Sequence, residues 1–353
     1  MPNVWSCAVA YRTLTSHARR VSLARMDAPV HEKPYHTIGR WGRGRVRPVA
    51  LNERDLDYLF ALFTYGVLSS DMLRALVAPN HSQRVTADRL FLLKNPPNEF
   101  VMQPEAQERA RTAHCTNLVF EISERGAHAL VDAWRITYDD YVLWRRAQVN
   151  FKPQHFDHDR AAGYVLASLA LGARETGIRF ISWLEILNRP RCPALAREAD
   201  NPLAIPYEFS GERHTLIPDA LFGLQYAQGA CFFALEIDMG TEQHKESDRK
   251  SVTLRQKFRA YRAVMRDRVF TSRFGLPALH VLMVTPGVVR MRNMMETAAR
   301  IFDGDPGALG ASVLFKAVPQ LARRSSETPP VTGHMLTIPW HRSEYPQLNL
   351  SEL

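Results

Sequence analysis

The chain reads as an α+β protein in two parts: a small helical module with a two-stranded wing, then a larger α/β domain on a mixed central sheet. Three observations predict this. Between Asn52 and Lys94, apolar residues recur at three- and four-residue steps, the period of helices. Two short apolar runs, Phe100–Met102 and Asn117–Ile122, follow as the arms of a hairpin. From Gly177 onward, apolar runs of strand length alternate with helical ones, the pattern of a sheet covered by helices.

The basic arm comes first. The 353 residues suit about two domains, and an apolar share of 46% is ample for packed cores. The net charge of +9 points to an anionic partner. Residues 1–50 hold nine Lys or Arg and two acids, so this arm carries +7 of that charge. Its Arg40-Trp41-Gly42-Arg43-Gly44-Arg45 run is short of core residues and predicts a disordered segment. That segment is either a solvated tail, a stretch upstream of a true start at Met26, or an arm lying along phosphates. The absence of a run near the roughly 18 apolar residues of a membrane helix predicts no membrane association. The N-terminus shows no secretory signal pattern. Cys7, Cys115, Cys192 and Cys231 are scattered without a CxxC pair, as expected for reduced thiols in a cytoplasmic protein.

Residues 51–135 form the first module. Asn52 caps a helix carrying Leu56, Leu59, Phe60 and Phe63, and Ser69-Ser70-Asp71 opens a second with Met72, Leu73 and Leu76. A third runs from about Ser82 to Lys94, with Val85, Leu90 and Leu93 expected inward and Gln83, Arg84, Thr86 and Arg89 outward. The hairpin after it has a long polar and basic tip, and Ser123-Glu124-Arg125-Gly126 opens another helix. Three short helices and a wing describe a winged helix-turn-helix, whose third helix can enter the major groove. Arg84 and Arg89 would then meet phosphates or guanine edges and Gln83 an adenine, with Thr86 beside them. The same module can also mediate only protein contacts.

Residues 136–320 form the second domain, and 321–353, rich in Ser, Pro and His, are expected to be a loose tail with Trp340 as an isolated anchor. His155-Phe156-Asp157-His158-Asp159 precedes a helix from Arg160 to Thr176. Asp157 or Asp159 suits its N-cap and the histidines suit backbone bonding, while a metal reading, or a place for His158 at the border of the cleft, stays open. Strands are expected over Gly177–Trp183, Leu216–Leu224, Leu279–Thr285 and Ser312–Val318, and a helix over Val289–Phe302.

The chemistry concentrates between Thr215 and Met265. The apolar run Phe232–Leu235 is closed by Glu236 and Asp238, which share one side of a strand end because side chains two apart do so. Asp219, after Pro218, adds a third acid on the neighbouring strand. On the following helix, Lys257 and Tyr261 are four apart and share a face that can reach those strand ends. Carboxylate oxygens suit a hard cation, Mg²⁺ or Mn²⁺, held by Asp219, Glu236 and Asp238. With a lysine beside it, such a cation activates water and stabilises charge on a phosphodiester. Acids at strand ends also commonly cap loops or pair with arginine, for which Arg213 and Arg249 are at hand. Tyr261 reads as a packed helix residue whose hydroxyl orients Lys257 or a phosphate. No P-loop, GxSxG or HxH motif occurs, which argues against a P-loop ATPase, a serine hydrolase and the His-triad type of relaxase.

The order Pro218-Asp219, then Glu236-x-Asp238 closing an apolar strand, then a lysine resembles the PD-(D/E)xK nuclease superfamily. Asp238 stands where that superfamily usually has its lysine, and Lys257 on the next helix would be the displaced equivalent. Ile217-Pro218-Asp219-Ala220, Leu235-Glu236-Ile237-Asp238-x-Gly240-Thr241-Glu242 and Lys257-Phe258-x-x-Tyr261, downstream of a winged helix, are similar to the replication-relaxation family of mobile elements. This resemblance implies a restriction-endonuclease-like domain with Asp219, Glu236 and Lys257 as its catalytic set, and the residues' own placement adds Asp238 and Tyr261 to the candidate catalytic site. It implies nicking of double-stranded DNA at a plasmid or transfer origin, with other mobilisation proteins as partners. The alternative is a non-catalytic DNA-binding regulator of plasmid replication or transfer on a decayed nuclease core.

Overall fold

The computed structural model describes residues 47–104, 118–148, 156–239, 254–305, 309–322 and 329–353. The basic stretch up to residue 46, residues 105–117 expected as the hairpin tip, His155, and Gly240, Thr241 and Glu242 lie outside the described residues.

Helix α1 (Glu53–Tyr65) begins with a reciprocal cap. The Asn52 side chain accepts from the Asp55 amide, and Asp55 accepts from the Asn52 amide. Strand β1 (Leu68–Ser69) leads into α2 (Ser70–Val77), capped by Ser69, and Ser82 caps α3 (Gln83–Lys94). Strands β2 (Val101–Met102) and β3 (Val119–Ile122) complete an antiparallel sheet in the order β1-β3-β2. Helices α4 (Glu124–Asp132) and α5 (Tyr138–Ala147) follow, the second starting with a Thr137–Asp140 capping box.

Helix α3 is turned differently from the sequence expectation. Its buried residues are Thr86, Leu90 and Leu93, four and three apart on one face, whereas Val85 is 47% exposed. Thr86 points inward, where the Tyr58 hydroxyl donates to its Oγ1 at 3.5 Å. Arg89 also turns inward. Its Nε donates to Asp55 Oδ1 at 2.8 Å and its Nη2 to Oδ2 at 2.5 Å, closing a bidentate pair with a carboxylate that has no exposure. Polarity misleads at both positions because each polar group has a buried partner brought by α1. Gln83 and Arg84 remain exposed.

Helix α6 (Phe156–Thr176) is buried almost continuously from Gly163 to Ala173. It packs against α1, α2 and β1 on one hand and against the large sheet on the other. At Gly163 a Cβ would stand 2.1 Å from the Val67 carbonyl oxygen, so only glycine permits this approach. Arg174 donates to the carbonyls of Leu76 and Ala75, both at 2.9 Å, tying α6 to the end of α2.

Strand β4 (Arg179–Ile181) and the short helices α7 (Trp183–Leu187) and α8 (Ala194–Glu198) come next. Strands β5 (Ile205–Phe209) and β6 (Glu212–Leu216) form a separate two-stranded sheet. The strand expected over Leu216–Leu224 is therefore broken. β6 ends at Leu216 and β7 (Ala220–Tyr226) begins in another sheet, with Pro218, which has no amide proton to give a ladder, in the gap. Strand β8 (Gly229–Ile237), helices α9 (Leu254–Arg266) and α10 (Val269–Phe274), strand β9 (His280–Thr285), helix α11 (Val288–Phe302) and strand β10 (Val313–Ala317) follow.

The last segment is not loose. Helix α12 (His334–Thr337) docks on α6, and strands β11 (Trp340–Arg342) and β12 (Tyr345–Leu348) join the main sheet. Its order is β12-β11-β10-β9-β8-β7-β4, with β8, β9 and β10 parallel and the other pairs antiparallel. Trp340 has no exposed surface and donates its indole N–H to the Met335 carbonyl at 2.8 Å, while the Lys316 ammonium sits 4.9 Å from its ring centre. A few anchors, Met335, Leu336, Trp340 and Leu350, bury this segment without any periodic pattern that polarity could reveal.

Two outcomes follow from this packing. Trp340→Ala should lower the unfolding free energy by about 3–5 kcal/mol in urea denaturation, a loss that a loose tail would not show. Arg89→Ala should cost about 3–5 kcal/mol because it strands the buried Asp55, while Arg84→Ala, at a side chain 91% exposed, should change stability by about 0.5 kcal/mol or less.

Candidate functional site

The site lies at the carboxyl end of β8, where that strand runs parallel to β9 in the middle of the sheet. Ligands of open α/β sheets gather at such strand ends. Ala220 of β7 pairs with Leu235 of β8, so Asp219 comes next to Glu236 at the end of the ladder. Its amide donates to the Leu235 carbonyl at 3.0 Å, and its Oδ2 accepts from the Ile237 amide at 2.7 Å. A backbone amide thus fixes the first acid against the strand that carries the second.

Glu236 has no exposed surface. A carboxylate there needs partners, because burial without them costs several kcal/mol. Helix α9 supplies two. Its apolar stripe of Phe258, Tyr261, Val264 and Met265 is buried, and this sets the turn of the helix so that Lys257 and Tyr261 face the strand end together. Lys257 Nζ lies 2.5 Å from Oε2, and the Tyr261 hydroxyl donates to Oε1 at 2.5 Å. Burial pushes the Glu236 carboxyl up to about 7, with Asp219 adding to the rise and Lys257 opposing it. Burial and the Glu236 charge push the Tyr261 phenol far above its usual range, so it acts as a donor.

Asp219 is 18% exposed and meets a residue from α6: His158 Nε2 lies 3.0 Å from its Oδ2. The other ring nitrogen, Nδ1, lies 3.2 Å from Asp159 Oδ1. An imidazole between two carboxylates is held in its doubly protonated form. Burial works against the charge, but the bonds to Asp159 and Asp219 prevail and raise the His158 pKa to about 10. Burial likewise favours a neutral Asp219, yet His158, with Lys257 and the Ile237 amide, holds that carboxyl below its usual value. Asp159 also faces β3, where burial, with the Asp159 charge adding, pushes Glu121 up to about 7.

The structure therefore brings Asp219, Glu236, Lys257 and Tyr261 together. Asp238 is engaged by α11: Arg290 donates to its Oδ2 through Nε at 2.8 Å and lies 2.7 Å away through Nη2. Arg290 stands on a helix with no motif to mark it, and in the sequence His158 reads first as a residue beside a helix cap. The signal for His158 was the adjacent Asp159, which turns a cap position into an oriented imidazole. Among the described residues, no three His, Cys, Asp or Glu side chains converge as a metal-holding group. Asp219 and Glu236 are the two carboxylates that would be offered to a small hard cation, since Mg²⁺ is commonly bound through one or two carboxylates with water and phosphate completing its shell. Of the residues expected to read DNA, Gln83 and Arg84 lie at the exposed start of α3, Thr86 is buried, and Arg89 is half-buried with its guanidinium on Asp55.

An α+β protein with paired acids at the carboxyl end of a central strand, and a lysine on the following helix, is what the fold and site define. The chain belongs to the replication-relaxation family, whose profile matches residues 59–278, more than half of its length and all of β7, β8 and α9. That description connects it with plasmid replication or relaxation. No curated protein and no solved structure matches it. No helix among the described residues is long and apolar enough to cross a membrane.

The charge on His158 carries a pH signature. Its pKa rises on folding, so the stability it lends is complete below the unfolded value of about 6.5 and is lost as pH rises through its folded value of about 10. The stability gap between the parent and His158→Gln, followed by urea unfolding, should be widest on the acid side and narrow steadily toward that upper limit.

Proposed function

We propose that this protein is a DNA relaxation and mobilisation protein that nicks one phosphodiester at a plasmid or transfer origin in a metal-dependent reaction. The observation that carries this reading is the placement of Asp219 and Glu236 side by side at a strand end, with Lys257 on the second carboxylate. Asp219 and Glu236 would hold Mg²⁺ or Mn²⁺, which when bound supplies Lewis-acid activation of water and neutralises charge on the phosphate. Lys257 binds and orients a non-bridging phosphate oxygen, since its side chain is about a quarter exposed while its partner is fully buried. Tyr261 fixes the Glu236 carboxylate through Oε1 and takes no part as a nucleophile.

The three helices and the β1-β3-β2 sheet act as a winged helix-turn-helix that docks double-stranded DNA. Gln83 and Arg84, at the open start of α3, make the contacts. Arg89 shapes that helix from within through Asp55. The large positive charge of the chain suits the phosphate backbone.

A second reading, a non-catalytic DNA-binding regulator of replication or transfer, is favoured by one observation. Asp238 stands where nucleases of this superfamily carry lysine, and Arg290 neutralises it. Purified protein with Mg²⁺ or Mn²⁺ should nick supercoiled plasmid carrying its cognate origin, and Glu236→Ala should reduce the rate by about 10²-fold or more. Undiminished nicking by that variant would sink the site, and tight, salt-sensitive binding with no cleavage would establish the regulator.

A further inference from the structure

The two acids of the site are oriented by different parts of the fold. Glu236 is held by α9, the helix that also supplies Lys257. Asp219 is held by its neighbour strand and by α6. Two hydrogen-bonding groups converge on a single oxygen, Oδ2: the Ile237 amide at 2.7 Å and the His158 ring at 3.0 Å. Among the described residues Oδ1 takes no such bond, which leaves it as the oxygen available to a ligand. The ring cannot turn freely, because Nδ1 is held by Asp159 at 3.2 Å. Nor can its helix drift. α6 is pressed against the Val67 carbonyl at Gly163 and clamped to the end of α2 by Arg174. Near its other end a Cβ on Gly172 would stand 2.5 Å from the Gly333 carbonyl oxygen, so the α12 segment closes on it as well.

We propose that His158 is a positioning residue for Asp219: by occupying Oδ2 from a rigidly seated helix, it presents Oδ1 to the divalent cation. This rests on the two-carboxylate metal site described above. Groups that orient a ligating carboxylate from behind tune metal affinity, and their loss typically weakens it by about 10- to 100-fold. The role belongs to the imidazole donor at Nε2, so a residue that donates from the same place should preserve it. The Gln amide nitrogen reaches about as far from the backbone as Nε2 does.

The test is Mn²⁺ binding to the full chain, measured by isothermal titration calorimetry without DNA. The parent should bind, His158→Ala should bind about 10-fold or more weakly, and His158→Gln should recover most of the loss. A folded His158→Ala chain that binds Mn²⁺ as tightly as the parent overturns the proposal. Tighter binding overturns it too and would mark the ring as a competitor for Asp219. Should His158→Ala fail to fold, Asp159→Asn carries the test, because it keeps the ring and removes the charge that orients it. Weaker Mn²⁺ binding there supports the role, and unchanged binding refutes it. A parent chain that takes up no Mn²⁺ would bring down the two-carboxylate site, and this role with it, whereas a parent that binds beside an indifferent His158→Ala removes this role alone.

Discussion

The buried carboxylate of Glu236 is the constraint on which the rest of the second domain depends. It closes a strand whose last six residues are all buried, so water cannot satisfy it. Such a group either loses its charge or brings partners with it. Here a lysine and a tyrosine one helical turn apart reach it from α9, and their reach requires that helix to lie across the end of the sheet with its apolar stripe down. The position of α9 is thus determined by hydrophobic burial and by the needs of one acid at the same time. Asp219 then completes the arrangement beside it, its amide donating to the Leu235 carbonyl and its carboxylate accepting from the Ile237 amide.

A second constraint links the two halves of the chain. Helix α6 is buried along most of its length because it is a shared wall, packed by the small module on one side and by the sheet and the terminal segment on the other. Its glycines mark where backbone meets backbone, at Val67 and at Gly333. Its first turn places His158 on Asp219 and Asp159 near Glu121 of β3. The small module and the acidic strand end, both packed on this helix, are held at a fixed spacing, since a close-packed wall transmits position rather than absorbing it.

Local pattern made much of this legible. The capped starts of α1, α2 and α3, the apolar runs of β8 and β9 and the amphipathic stripe of α9 all follow from residue spacing. So did the convergence of Asp219, Glu236, Lys257 and Tyr261, because strand alternation and the four-residue helical step are local rules. Where polarity was used as a proxy for exposure it misled. Thr86 and Arg89 face inward because Tyr58 and Asp55 wait for them, and the Ser-, Pro- and His-rich terminal segment docks through Trp340 and a few other anchors.

By itself the sequence determined the alternation of elements, the acids at the end of β8 and the face of α9 that meets them, since each depends on neighbours within a few residues along the chain. Only the tertiary structure decided that His158 grips Asp219 across 61 positions and that Arg290 takes Asp238 across 52. It also decided that residues 340–348 extend the main sheet. Those pairings join residues that no local period relates. They arise because a buried charge accepts whichever counter-charge the packing of the whole domain brings within reach.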